Sequence, residues 1–271
     1  MPRPITVVTA TTRPKTTREF WSSWTEMAVR KDLLSVVTIV NGPEYRTKVE
    51  ELPGHELGKS QVILREKDYL GTVPAFALAT GRVAGGSIVA CLHDDLQFLE
   101  RAWDEQLRDI LSDRRVGLAG FGGAYRVGVE GMYSRPFDPM TLARHDFISN
   151  MRDAEAHGAR IHDPRQVAVL DGFSQCFTPE VSAYEYFSYL DQLGIIHHAY
   201  DVALGCMMKR ANLETWYVPV SCHHAGGRTA VADPGYQEWA KTQCPAGDQG
   251  IWWHAHRSVY DEFGDCLPFG V

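Results

Sequence analysis

The stretch Ser87-Ile88-Val89-Ala90-Cys91-Leu92-His93-Asp94-Asp95-Leu96 decides the fold. Its apolar run, rich in β-branched residues, reads as a buried strand. The run stops at His93, Asp94 and Asp95. Carboxylates do not belong inside a sheet, because burying an unpaired charge is very costly. They stand instead at the strand's carboxyl end, where open α/β sheets build ligand crevices. Oxygen ligands there suit a hard divalent cation, Mg²⁺ or Mn²⁺, held jointly with the phosphates of a ligand. Taken alone, the three residues favour a solvated turn or helix cap, since Asp is common after strands. The surrounding chain favours the crevice.

Upstream, residues 5–9 (Ile-Thr-Val-Val-Thr) read as a first strand, with a loop from Ala10 to Pro14 after it. Phe20, Trp21, Trp24, Met27 and Ala28 recur at helical spacing, which predicts an amphipathic helix over 18–30. Residues 34–40 form a second strand ending in the turn Asn41-Gly42-Pro43. Residues 62–64 form a short third strand, and 71–81 a small-residue helix packed close to the sheet. This β-α-β-α-β alternation predicts a parallel, doubly wound sheet with right-handed crossovers. No G-x-G-x-x-G follows the first strand, which weakens a dinucleotide-binding reading.

Downstream the rhythm changes. Leu99, Ala102, Trp103, Leu107, Ile110 and Leu111 mark a helix, and 116–119 a strand. Residues 120–131 are glycine-rich and read as loop, with 133–139 continuing as irregular chain. Residues 167–170 give another strand, ending on Asp171-Gly172. A stripe of Tyr200, Ala203, Leu204, Met207, Met208 and Ala211 predicts a helix over 198–211. A late strand over 213–220 leads into Cys222-His223-His224. From Arg228 on, Pro, Gly, Trp and His mix without periodicity, which reads as an arm or lid over the site. The expected organisation is one domain over 1–227, split into halves 1–95 and 96–227, with the arm over 228–271.

A hydrophobic content of 44% with 23% charged residues places the chain among globular proteins. The net charge of −7 argues against a broad phosphate-binding surface while permitting a local basic groove. Six scattered cysteines without a C-x-x-C pair read as buried free thiols in a reducing compartment. No signal peptide and no bilayer-length apolar run is evident, so a cytoplasmic protein without integral membrane contact is expected. A zinc centre from Cys222, His223, His224, Cys244, His254 and His256 fits no finger spacing. The pair His197-His198 reads as a loop feature, and Trp252-Trp253 with His254 and His256 as a packed tail or an aromatic cover over a bound ligand.

Four landmarks then fall in a familiar order. They are Val7-Val8-Thr9-Ala10 with Arg13; Leu92-His93-Asp94-Asp95; Leu170-Asp171-Gly172-Phe173; and His198-Ala199-Tyr200-Asp201 with Val218-Pro219-Val220-Ser221-Cys222-His223-His224. In this order and placement the chain resembles the GT-A glycosyltransferases of the family-2 type, over roughly residues 1–227. The resemblance implies an α/β GT-A fold, a Rossmann-like, mostly parallel central sheet flanked by helices. It also implies a nucleotide-sugar donor, a UDP-sugar by default, a divalent metal (Mn²⁺ or Mg²⁺), and inversion at the anomeric carbon. By position Asp95 matches the metal-binding end of the Asp-x-Asp motif, and His223 or His224 a late histidine that helps hold metal or diphosphate. Asp201 matches the catalytic base and Asp171 a residue near sugar and acceptor. Thr9, Thr11, Arg13, Asn41, His93 and Asp94 fall in the donor-binding part. His93 replaces the usual first Asp, and Ala203 the usual acid two positions after the base, which departs from the pattern.

The chemistry supports these roles independently. A metal on Asp95 would neutralise the charge that grows on a departing diphosphate. A carboxylate within reach would help deprotonate an acceptor hydroxyl. Hydroxyls and a guanidinium after the first strand suit base and phosphate. Asp201 is equally explained as a carboxylate favoured by a helix amino end, and Asp171 as a turn residue. The alternative reading is a catalytically inactive GT-A-like module that binds a glycan or partner. A nucleotidyltransferase would need glycine in the loop after the first strand, and Thr9 to Pro14 has none. The acceptor stays open among glycan, lipid-linked sugar, protein and modified nucleobase.

Overall fold

The computed structural model describes residues 2–52, 61–128, 142–152, 158–226 and 233–271. The expected irregular chain over 133–139 and the last part of the expected loop over 120–131 lie outside them. The chain opens with β1 (Ile5–Thr11), α1 (Pro14–Glu26), β2 (Leu34–Asn41), β3 (Gln61–Glu66), α2 (Thr72–Thr80) and β4 (Ile88–Leu92). There follow β5 (Leu96–Phe98), α3 (Trp103–Ile110), β6 (Val116–Gly120), β7 (Gly122–Val127), β8 (Arg144–Ser149) and β9 (Ala159–Arg160). Next come β10 (Arg165–Val167), β11 (Val169–Leu170), β12 (Ser174–Phe177), α4 (Ala183–Gln192), α5 (Tyr200–Arg210), β13 (Glu214–Tyr217) and β14 (Cys222–His224). The chain closes with α6 (Pro234–Gln243), α7 (Asp248–Phe263) and β15 (Phe269–Gly270).

An eight-stranded sheet runs in the order β10-β13-β6-β12-β4-β1-β2-β3. The block β4, β1, β2, β3 is parallel, and β13 is parallel to β6. Strand β12 lies antiparallel between β4 and β6, and β10 antiparallel at the edge. The sheet is therefore mostly parallel with two reversed strands. Side chains of β1 alternate between two cores. Ile5 and Val7 pack with Trp21 and Trp24 of α1, while Val8 packs with Phe76 of α2. The buried Trp24 indole donates to the Leu96 carbonyl at 2.7 Å, which removes the cost of burying it. A smaller sheet joins β11, β7, β8 and β9, with β15 against β7, and β14 pairs with β5. All six cysteines are buried and free. No helix of the described residues is long and apolar enough to cross a membrane.

Several expectations need correction. Helix α1 starts at Pro14, whose fixed φ suits a first helical turn, and ends at Glu26 rather than Arg30. The buried Asp104 carboxylate takes the amides of Val29 and Arg30 at 2.9 and 3.0 Å, drawing the chain out of the helix. The strand expected over 167–170 is divided, β10 joining the main sheet and β11 the smaller one. Residues 122–127, read as loop, form β7. Glycine marks close approach there, since a Cβ on Gly123 would lie 2.6 Å from the Val169 carbonyl oxygen. The stretch after Asp233, read as lacking periodicity, holds two helices. Asp233 caps α6 through the amides of Gly235 and Tyr236. In α7, Ile251, Ala255, Val259 and Phe263 recur every fourth residue and are buried. Ala255, Val259 and Phe263 share a core with α5 residues, so these helices pack against the body of the fold.

Candidate active site

A cleft of about 370 Å³ opens at the carboxyl ends of β1, β2 and β4 and the amino end of α5. Asn41, His93, Asp94, Asp95, Asp171 and Asp201 all line it, so the structure brings these expected residues together. Thr9 and Thr11 are buried in the sheet, 0% and 2% exposed, and their neighbours Ala10 and Thr12 face the cleft instead. Arg13 does not line the cleft; its amide donates to the Thr11 hydroxyl at 3.3 Å. The Asn41 side-chain oxygen is buried and has no hydrogen-bond partner among the described residues.

His93, Asp95 and His224 form one cluster, each offering a ligand atom within 4.8 Å of the others. The sequence left His223 and His224 equivalent, and strand alternation separates them. His224 Nε2 lies 3.2 Å from Asp95 Oδ1 and 3.4 Å from His93 Nδ1, while His223 stacks on Phe20 with ring centroids 5.5 Å apart. The Tyr200 hydroxyl donates to the Gly172 carbonyl at 2.6 Å and lies 2.9 Å from His93 Nε2. The phenol has one proton, already directed at Gly172, so His93 Nε2 must carry hydrogen and donate. The lone pair of His93 then sits on Nδ1, facing His224.

Electrostatics favour one ionisation pattern. Burial, aided by the His224 charge, pushes His93 down to about 4. Burial would raise Asp95, but the hydrogen bond and charge of His224 outweigh it and hold Asp95 down to about 2. Burial works against charge on His224 as well, and Asp95 overcomes it, so His224 is raised. Burial and the neighbouring Asp95 push Asp94 up to about 7, and Thr17 of α1 donates to its carboxylate at 3.3 Å.

The far wall holds residues that sequence reasoning missed. Arg144 of β8 pairs with the Asp201 carboxylate, whose other oxygen accepts the Val202 amide at 2.9 Å. The Asp201 charge raises Arg144 above its ordinary value. Asp171 is fixed by its backbone, its amide donating to the Gly122 carbonyl at 2.8 Å and its carbonyl accepting Gln175 at 3.0 Å. No described residue hydrogen-bonds the Asp171 carboxylate. His197, His198, Tyr236, Trp252 and His256 complete this wall, with the Trp252 and His256 rings 4.0 Å apart. Trp253 and His254 lie outside it, Trp253 being 46% exposed. Nothing in the local sequence of Arg144 announces its role, because its partner lies 57 residues away.

No family model and no curated protein matches this chain. Solved structures do. The crystal structure of GalNAc-T7 with UDP, GalNAc and Mn²⁺ superposes with a TM-score of 0.55 at 13% identity, covering 82% of this chain and 44% of that one. The chain thus spans less than half the length of that protein. The mannosyltransferase PcManGT from Pyrobaculum calidifontis, in complex with GDP-Man and Mn²⁺, gives a TM-score of 0.49 at 16% identity over 95% of this chain and 70% of that one. The architecture of the chain is the GT-A fold.

Proposed function

We propose that this GT-A chain is a metal-dependent glycosyltransferase, moving a sugar from a nucleotide-diphosphate sugar to an acceptor hydroxyl with inversion. The observation that carries the reading is the cluster that His224 of β14 forms with His93 and Asp95, which line the crevice at the carboxyl end of β4. Two imidazoles and one carboxylate suit Mn²⁺ better than Mg²⁺, which prefers oxygen alone. These three residues would hold the cation. Bound there, it would supply Lewis-acid neutralisation of the charge that grows on the diphosphate.

The chain's own residues supply the remainder. Tyr200 and Gly172 keep the His93 lone pair turned to the cluster. The Asn41 side-chain oxygen, without a hydrogen-bond partner among the described residues, suits an N–H donor on a nucleobase edge, with Thr11 and Arg13 supporting the adjoining loop and Thr9 the strand beneath it. The Asp171 carboxylate, which no described residue hydrogen-bonds, suits hydroxyls of the transferred sugar. Asp201 holds the Arg144 guanidinium over the cleft, where it faces both carboxylates. Helices α6 and α7 cover the acceptor end with Tyr236 and Trp252. The six buried free thiols agree with a cytoplasmic setting.

Incubation with a panel of UDP- and GDP-sugars and Mn²⁺ tests the reading. Release of nucleoside diphosphate, abolished in Asp95→Asn, is the expected result. Nucleotide binding that needs Mn²⁺ but yields no turnover with any donor would favour the inactive binding module instead.

A further inference from the structure

We propose, on the glycosyltransferase reading just given, that His198 takes the proton from the acceptor hydroxyl and that Asp248 orients it for this task. His197 and His198 line the cleft and form, with Asp248 behind them, a second ionisable cluster apart from the His93 cluster. His198 Nε2 lies 2.7 Å from Asp248 Oδ1, and the Tyr236 hydroxyl donates to the same oxygen at 2.6 Å. Burial would raise Asp248, but the hydrogen bonds from Tyr236 and His198 outweigh it and keep it below the ordinary carboxylate range. An ionised carboxylate only accepts, so the proton of neutral His198 is on Nε2. Its lone pair is therefore on Nδ1, and no described residue hydrogen-bonds that atom.

His197 shows the opposite arrangement. Its Nδ1 accepts the Thr72 amide at 3.4 Å and lies 2.9 Å from the Thr72 hydroxyl. That lone pair is committed, and so is the Asp248 oxygen that carries two hydrogen bonds. The cluster is thus arranged less as a metal cage than as a carboxylate–imidazole dyad with one open nitrogen. Such a carboxylate fixes the tautomer and stabilises the imidazolium that forms. Asp201 is a poorer candidate for this role, because taking a proton would break its ion pair with Arg144.

The step balances without another reactant. The acceptor O–H proton moves to His198 Nδ1 while the oxygen forms its bond to the anomeric carbon. The bond from that carbon to the diphosphate oxygen breaks, and its electron pair leaves with the diphosphate. Asp248 balances the imidazolium charge until the proton returns to solvent.

The test uses the full chain, Mn²⁺, UDP- and GDP-sugars, and water as the acceptor, with release of free sugar as the readout. His198→Ala is expected to bind nucleoside diphosphate with Mn²⁺ as wild type does, while releasing sugar about 10²–10⁴-fold more slowly. Added imidazole should restore part of the rate, which a merely structural histidine would not allow. Asp248→Asn should be slow as well, with Asp248→Glu recovering much of the loss. Nitrogen NMR of the histidine rings reads the tautomer independently of turnover: the Nε2–H form at His198 supports the dyad, and the Nδ1–H form overturns it. His198→Ala releasing sugar at the wild-type rate with nucleotide binding intact would overturn the inference and leave the glycosyltransferase reading standing. Absence of Mn²⁺-dependent nucleotide binding in the wild type would instead overturn that reading, and this inference with it.

Discussion

Replacing Tyr200 by Phe removes one oxygen from the cleft and leaves the ring that packs against Phe76 and Phe187. That oxygen is the acceptor that holds the His93 Nε2–H. Without it the ring is free to turn or change tautomer, so Mn²⁺ affinity should fall about 10–100-fold, as for other partners behind a metal ligand. Calorimetry of Mn²⁺ binding checks this, and an unchanged affinity would detach Tyr200 from the cluster. The Arg144–Asp201 pair offers a second test at the same scale. Asp201→Asn leaves a largely buried guanidinium without its counter-charge, which should cost about 3 kcal/mol in urea unfolding. A cost under about 1 kcal/mol would mean that solvent screens the pair as it does at a surface.

At the scale of elements, the junction of α2 with the chain before α5 sets the cleft wall that carries His197. A Cβ on Gly71 would lie 2.1 Å from the Ile196 carbonyl oxygen, so Gly71→Ala must push the start of α2 away from His197. Overpacking of this kind costs about 1–3 kcal/mol, and each kcal/mol should lower Tm by about 2–4 °C in a chain of this size. Calorimetric melting checks it. His197 adds a pH dependence. Burial, helped by the His198 charge, pushes it down to about 3 from an ordinary 6.5. A protonated ring would also turn an N–H toward the Thr72 amide, which itself donates. Because the unfolded chain binds the proton more readily, the stabilisation is complete above pH 6.5 and is lost as pH falls towards 3. His197→Gln should flatten the stability profile across that window. Helices α1, α2 and α5 and strands β1, β2 and β4 were legible in the sequence because one apolar face or run defines each. Strand β12 was not, since Ser174 and Gln175 interrupt its apolar pattern, although antiparallel neighbours on both sides pair its backbone. Strand β7 was hidden by its glycines, and α7 by Trp, His and Tyr between its buried positions.

Across the whole molecule, the site is assembled from segments far apart in sequence, and this limited what the sequence could reveal. His93, Asp94 and Asp95 stand together on one strand end and were legible as a site. His224 reaches them from β14 only because that strand pairs with β5 directly after Asp95. Arg144 arrives on the smaller sheet and Asp248 on the last long helix, so neither carries a local signal. The same separation means that nucleotide and cation should tie distant parts of the chain together when they bind. At 100-fold excess over Kd, binding should add about 2.7 kcal/mol to stability, visible as a rise in Tm. The most direct test of the account is calorimetric titration of UDP and GDP into wild-type protein and Asp95→Asn, with and without Mn²⁺. The account predicts that one of the two nucleotides binds the wild type only when Mn²⁺ is present and that Asp95→Asn does not bind it. Binding of equal strength without Mn²⁺, or in Asp95→Asn with Mn²⁺, would contradict it.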